Sequence, residues 1–271
     1  MAIRDITLGQ YYPGESKIHN LDPRTKICGT LVYLVSLFLV KDFAGFVFAA
    51  LCLGIVIAVS GVPFKFMSKG LKPIMFLIIL TMIINLFSGT GDPVWSWWVL
   101  KISLDGVHRA VFMAVRLVLL IFGSSLLTLT TKPIALTDGL ERLLSPFSKI
   151  GLPAHELAMM MTIALRFIPT LLEETDKIMK AQTARGADFE SGNLKERAKS
   201  LIPLLVPLFV SAFRIAGDLA MAMEARCYHG GEGRTRMNGM KFTKADLFAA
   251  LLLCLYLGLI IWSGKFQLLP L

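Results

Sequence analysis

AHELAMMMTIALRFIPTLLEETDKIMKAQTARG, residues 154–186, is followed after a short gap by LKERAKSLIPLLVPLFVSAFRIAGDLAMAMEARCYHGG, residues 194–231. Both stretches read as long helices. Leu165, Ile168, Leu172, Thr175 and Met179 recur at a spacing of three and four, with Glu173, Glu174 and Lys177 between them, the pattern of an amphipathic helix. The second helix is expected from about Leu194 to Arg226, with its stop at His229-Gly230-Gly231, where glycine supplies a left-handed residue. These helices occupy residues 131–244, between two long apolar runs. A structureless connection of that length would be anomalous, so the segment is read as a helical domain whose two long helices pack across each other.

The surrounding chain is of another kind. Across 271 residues, 55% are hydrophobic and only 17% charged, and the mean hydropathy is +0.66. A soluble domain carries about 25% charged residues, so the apolar surface calls for lipid. The net charge of +9 then fits cytoplasmic loops and anionic headgroups better than nucleic acid.

A bilayer-spanning helix needs about 20 mostly apolar residues. Runs of that kind lie at about Ile27–Val40, Phe43–Ser60, Leu71–Phe87, Val107–Thr130 and Leu247–Ser263. Asp22-Pro23 reads as the N-cap and first helical position before the first run. The N-terminal segment lacks the apolar core and cleavage site of a signal peptide. Arg4, Lys17, Arg24, Lys26, Lys65, Lys69, Lys72 and every basic residue from Lys132 to Lys244 fall on one side, leaving Lys41, Lys101 and Lys265 on the other. The positive-inside rule then puts the N-terminus and the 131–244 segment in the cytoplasm and the C-terminus outside. Trp95, Trp97 and Trp98 sit in the outer loop, where tryptophan favours the membrane–water boundary.

The fold expected is therefore an all-α polytopic membrane protein with about five transmembrane helices and a cytoplasmic domain of two long helices packed on each other, which the resemblance described below implies is a coupling domain of crossed helices. Its parts are a four-span region over 1–130, the helical domain over 131–245 and a last membrane helix over 246–271. Leu201–Met223 leaves a sixth span open, against which stand Arg214 and Asp218 near its centre and Pro203 and Pro207 in its first half. Leu157–Ile168 is too short to cross.

The two long helices end alike. Ala181, Ala184, Arg185 and Gly186 close one; Ala222, Ala225, Arg226 and Cys227 close the other. Alanines three apart leave a helix face bare for close approach, and the arginine beside them presents a planar fork of donors suited to a carboxylate or to carbonyls at a helix end. The plainer alternative is that an arginine in a last turn only complements the helix dipole.

Pro13-Gly14, Ser16, Ile18-His19, Leu21-Asp22-Pro23-Arg24-Thr25-Lys26, the stretch Ala164-Leu165-Arg166-Phe167-Ile168-Pro169 and the paired Ala-Arg tripeptides, in that order, resemble the transmembrane T component of energy-coupling factor (ECF) transporters. The resemblance covers almost the whole chain. It implies a scaffold subunit of an ATP-driven importer of vitamins or other micronutrients in the prokaryotic plasma membrane. Such a subunit joins two ABC-type ATPases, which bind ATP and Mg and hydrolyse it, to substrate-binding membrane S components, several of them interchangeable. By the same resemblance Ala184, Arg185, Gly186 and Ala225, Arg226, Cys227 are the two ATPase-docking tips. Cys227 departs from the usual glycine, which suits a non-identical ATPase pair. Met159, Met160, Met161, Met179, Met221 and Met223 offer a flexible, polarisable surface for repacking against S components, or else simply fill the core.

No catalytic, cofactor or metal site is read in this chain. It has no G-x-x-x-x-G-K-[ST] phosphate loop, and Gly230-Gly231-Glu232-Gly233-Arg234 lacks the lysine and hydroxyl of one. Cys227 and His229 alone do not make a metal site. A lipid-modifying enzyme would need acid or base groups clustered at one membrane face, and the spans offer little beyond Arg116 and Asn85. A stand-alone permease would need broken, polar helices lining a path. Arg109 and Arg116 share one face of the fourth span, where Arg116 is expected to hold a neighbouring span.

Overall fold

The computed structural model describes residues 11–40, 42–87, 93–97, 100–151, 153–187, 189, 199–230 and 242–266. They form two compact units, one of Gly9–Leu140 with Gly239–Leu271 and one of Glu141–Asn238.

The first unit is built on α1 (Pro23–Leu39), α2 (Phe43–Ser60), α3 (Phe64–Leu71), α4 (Met75–Phe87), α5 (Leu104–Thr130), most of α6 (Pro133–Leu144) and α9 (Lys244–Phe266). A short 3-10 turn, Lys72–Ile74, joins α3 to α4, so the helical run expected from Leu71 already starts at Phe64. Pro73 accounts for the turn, since it has no N–H for an α-helical bond. An antiparallel hairpin, β1 (Pro93–Trp97) and β2 (Leu100–Ser103), interrupts the otherwise helical architecture before α5. The tryptophan expectation falls on this loop, where Trp98 and the side chains of Trp95 and Trp97 lie outside the described residues.

The hub is α5, packed against α1, α2, α3 and α4, while α9 packs against α1 and α2. Leu37, Phe46, Ala49, Leu53, Met67, Phe112, Leu119, Leu126, Tyr256 and Ile260 form one buried cluster. Two glycines on α5 set how close its neighbours come. A Cβ on Gly106 would lie 2.5 Å from the Leu86 carbonyl oxygen of α4, and one on Gly123 would lie 2.7 Å from the Tyr33 ring of α1. Outside this core Leu51, Ile55, Phe76, Ile84, Phe248 and Leu251 are exposed, an apolar surface of the kind that meets lipid or a membrane partner.

Arg116 keeps its charge inside this helical layer by binding protein. Its Nη2 donates to the Val40 carbonyl at 3.1 Å, the C-cap of α1, and its guanidinium lies over the rings of Phe38, Phe46 and Phe112 at 5.0–5.7 Å. An orphan carbonyl at a helix C-terminus favours a cation, and the aromatic faces add cation–π attraction.

The second unit is dominated by α7 (Ala154–Ala184) and α8 (Ile202–Glu224). The start expected near Leu194 lies outside the described residues. Pro203 and Pro207 do not break α8. The first sits in the opening turn, where no N–H is needed, and the second lies inside the helix. Pro207 leaves the Pro203 carbonyl without its intrahelical donor, and Gln182 Nε2 of α7 donates to that carbonyl at 3.4 Å.

Among the described residues six helices are long and apolar enough to cross a membrane, and the set differs from the five runs expected. It includes α7 and α8, with mean hydropathies of 1.2 and 1.7 against 2.1–2.5 for the others, whereas α1, with 17 residues, stands at the lower limit of a span. Leu171 and Leu172 carry the apolar stretch of α7 past the twelve residues Leu157–Ile168 taken alone.

Candidate functional site

The site is the pair of helix ends in the second unit. Ser211 Oγ of α8 donates to Glu174 Oε1 at 3.5 Å, and Gln182 reaches Pro203. Because later residues of α7 meet earlier residues of α8, the helices run antiparallel and their C-terminal tips point to opposite ends of the pair. Helical rise then separates Arg185 from Arg226 by roughly 35–40 Å.

Both tips are built by the same turn. At the end of α7 the Gly186 N–H bonds the Thr183 carbonyl at 2.9 Å and the Ala187 N–H bonds the Gln182 carbonyl at 3.0 Å. At the end of α8 the Cys227 N–H bonds the Glu224 carbonyl at 2.8 Å and the Tyr228 N–H bonds the Met223 carbonyl at 3.1 Å. Each set is a Schellman motif, which satisfies the last carbonyls and requires a left-handed residue just past the helix. Gly186 supplies it with φ of 88° and Cys227 with φ of 57°. Arg185 is the C-cap of α7 and Arg226 follows Ala225, the C-cap of α8, and each arginine stands one step before the reversal.

The stop of α8 therefore falls at Cys227, three residues before the expected glycine at Gly230, which has a positive φ of its own outside the helix. A tyrosine follows the cysteine, and the His229 ring turns back so that Nδ1 lies 2.8 Å from the Cys227 carbonyl oxygen. Nδ1 is thus the protonated nitrogen, since a carbonyl only accepts.

Ala184, Arg185, Gly186, Ala225, Arg226 and Cys227 are all exposed. Neither arginine has an ion pair within the described residues. Each tip therefore offers a free guanidinium beside bare alanine, on a closed turn that holds its shape without a partner. The methionines divide. Met160, Met161 and Met221 are exposed at 54%, 42% and 64%, while Met159, Met179 and Met223 are half-buried. Val206, Phe209, Val210 and Phe213 extend the exposed apolar face along α8, and Leu204 and Ser211 are buried on its other side.

A second polar assembly, in the first unit, escaped the sequence reading. Asp246 is 1% exposed, and its carboxylate accepts the Thr243 N–H at 2.8 Å, the Thr243 hydroxyl at 2.7 Å and the Asp22 N–H at 2.8 Å. Lys26 Nζ donates to the carbonyls of His19 at 2.9 Å and Thr130 at 3.0 Å. The His19 ring donates through Nε2 to the Tyr12 carbonyl at 3.1 Å and accepts at Nδ1 from the Ser16 hydroxyl at 2.6 Å. The signal was present in Thr243-x-x-Asp246, a capping box opening an apolar run.

With this geometry in hand, the comparisons with known proteins are specific. Residues 14–237 match the CbiQ family, described as cobalt transport protein. The energy-coupling factor transporter transmembrane protein EcfT of Clostridium kluyveri is 58% identical over 97% of this chain and 100% of its own. The EcfT of Thermosediminibacter oceani is 60% identical over 91% and 93%, and that of Bacillus subtilis is 48% identical over 89% and 91%. Helices of membrane-crossing length, an apolar outer surface and this similarity along nearly the whole chain agree: it belongs to the EcfT family of energy-coupling factor transporter transmembrane proteins.

Proposed function

We propose that this membrane protein is the scaffold and energy-coupling subunit of an ATP-driven ECF importer of vitamins or other micronutrients. It catalyses nothing itself. Two ABC-type ATPase subunits bind ATP and Mg and dock on the tips, Arg185 with Ala184 and Gly186 on one, Arg226 with Ala225 and Cys227 on the other. ATP-driven closure of the ATPase pair moves the tips, and α7 and α8 carry that movement to a substrate-binding S component in the membrane. The exposed Met160, Met161 and Met221, together with the half-buried Met159, Met179 and Met223, repack against different S components. The N-terminus and residues 131–245 lie in the cytoplasm of a prokaryotic cell, between the membrane regions 1–130 and 246–271.

The observation that carries this reading is the repetition of one arginine-bearing cap at opposite ends of an antiparallel helix pair. A single dipole-complementing arginine has no reason to recur with the same turn and the same exposure. The separation of roughly 35–40 Å, set by helical rise, leaves room for two partners and rules out one small groove holding both tips. The departure at Cys227 fits two non-identical ATPases.

The experiment is co-purification of each ATPase with Arg185→Glu and Arg226→Glu variants from solubilised membranes. Each reversal should release mainly one ATPase. Equal loss of both subunits from both variants would overturn the assignment of one partner to each tip, and undiminished retention would overturn docking itself.

A further inference from the structure

The polar assembly around Asp246 lies where the chain leaves α5 and where it later enters α9. Three helix termini meet there. The C-terminal carbonyl of α5, at Thr130, receives the Lys26 ammonium. The N-terminus of α9 receives the Asp246 carboxylate through Thr243. The N-terminus of α1 is capped by Asp22, whose Oδ1 accepts the Arg24 N–H at 2.9 Å and whose own N–H goes to Asp246. Each charge has the sign its helix end favours, a cation at the carbonyl end and carboxylates at the N–H ends. Lys26 and Asp22 belong to the same N-terminal arm, which is stitched to α5 again by the Tyr12 N–H on the Leu129 carbonyl at 2.9 Å. Residues 131–242 thus begin and end at points tied to one short stretch of chain, Tyr12–Lys26.

The tie is buried. Asp22 is 5% exposed, Lys26 9% and Asp246 1%. Hydrogen bonds to ionised groups out of water are stronger than neutral ones, and losing the charged side chain leaves its buried backbone partners unsatisfied. Apolar packing would let helix ends slide, whereas these bonds fix their positions in all directions. A segment that transmits force needs such fixed mounts, because slack at its base absorbs the displacement.

We infer that Lys26, Asp22 and Asp246 are positioning residues for energy coupling: they clamp the outgoing end of α5 and the incoming end of α9 to the N-terminal arm, so that motion of residues 131–242 is delivered to the membrane helices rather than lost at the base. This inference rests on the coupling role proposed above. The clamp touches neither ATPase nor substrate, so its loss separates hydrolysis from import without weakening docking.

The test uses the full complex in proteoliposomes and reads two quantities, the ATPases retained by the chain and the substrate imported per ATP hydrolysed. Lys26→Met should leave retention at the wild-type level and lower import per ATP by about tenfold, the size expected when a buried charge-assisted hydrogen bond is lost. Lys26→Arg, which keeps donors for both carbonyls, should lower it by less. Thr243→Val removes only the hydroxyl on Asp246 and gives a mild, foldable variant with an intermediate ratio. An unchanged ratio in all three would overturn the clamp, as would import and hydrolysis falling in strict proportion. A wild-type chain that retains no ATPase would overturn the coupling role instead, which keeps the two failures apart. Should Lys26→Met fail to assemble, the ordering of Lys26→Arg and Thr243→Val against wild type decides the matter.

Discussion

Gly186 at the end of α7 and Cys227 at the end of α8 occupy the same position of the same turn, with φ of 88° and 57°, yet only glycine enters that region without crowding its own Cβ against the backbone. A left-handed conformation costs an ordinary L-residue on the order of 1–2 kcal/mol. Cys227 is the only non-glycine residue with positive φ among the described residues. The tips therefore share hydrogen bonds, exposure and arginine but differ in strain: the first is relaxed, and the second is held against a local penalty by the two bonds of its turn. One device has been built twice from residues of different tolerance, so the tips should respond differently to the same class of change.

The largest effect tests what they share. Arg185→Glu together with Arg226→Glu should remove both ATPases and abolish import, whereas either single variant keeps the ATPase docked on its intact tip. A double variant no worse than the poorer single one would mean that one tip carries all the docking.

Next comes a change aimed at the relaxed tip. Gly186→Val puts a β-branched side chain at φ of 88°, a genuine outlier for such a residue, and should destabilise the α7 cap by about 2 kcal/mol. Among the described residues, its chain neighbours aside, no atom lies within 4 Å of a Cβ built there, so the cost is one of conformation rather than contact. Hydrogen exchange at the Gly186 and Ala187 amides should rise steeply while the α8 tip stays as it was. Loss of the ATPase docked on α7, with normal retention at α8, would complete the contrast. Unchanged exchange at Ala187 would show that the turn does not need its glycine.

How far each feature was readable follows from the range of the forces behind it. The membrane helices were legible because burial in lipid imposes a long apolar run, and the boundaries of α2 were met at Phe43–Ser60 for that reason. The tips were legible as an echo of Ala, Ala and Arg, since both the bare face and the arginine are properties of neighbours in sequence. Their cap geometry was half-legible: Gly186 announced itself, while Cys227 did not, and the stop of α8 was expected at Gly230 because glycine is the usual signal. Pro207 weighed too heavily against a continuous α8, because a proline's cost depends on whether something takes up the orphaned carbonyl, and Gln182 lies 21 residues away in sequence. The clamp was least legible, for Asp22 and Asp246 are 224 residues apart and nothing in either stretch names the other. Arg116 shows the intermediate case: its charge within an apolar span flagged a partner, and only the fold identified it as the Val40 carbonyl.

The smallest effect tests the strain itself. Cys227→Gly should relieve the left-handed penalty and stabilise the α8 cap. The gain should be only about 0.5–1 kcal/mol, because glycine also gains freedom in the unfolded chain. The bonds from the Cys227 and Tyr228 N–H groups to Glu224 and Met223 would tighten, and exchange at those two amides should slow by a few-fold while the α7 tip is untouched. If cysteine at this position serves only as a small residue, ATPase retention at α8 will rise slightly with the stabilised turn. If retention falls although the turn is firmer, the thiol side chain itself contacts the partner, and the departure from glycine marks which of the two ATPases belongs on α8. Exchange that speeds up would mean that the positive φ is no burden to this tip, and the difference between the two ends would reduce to their surfaces.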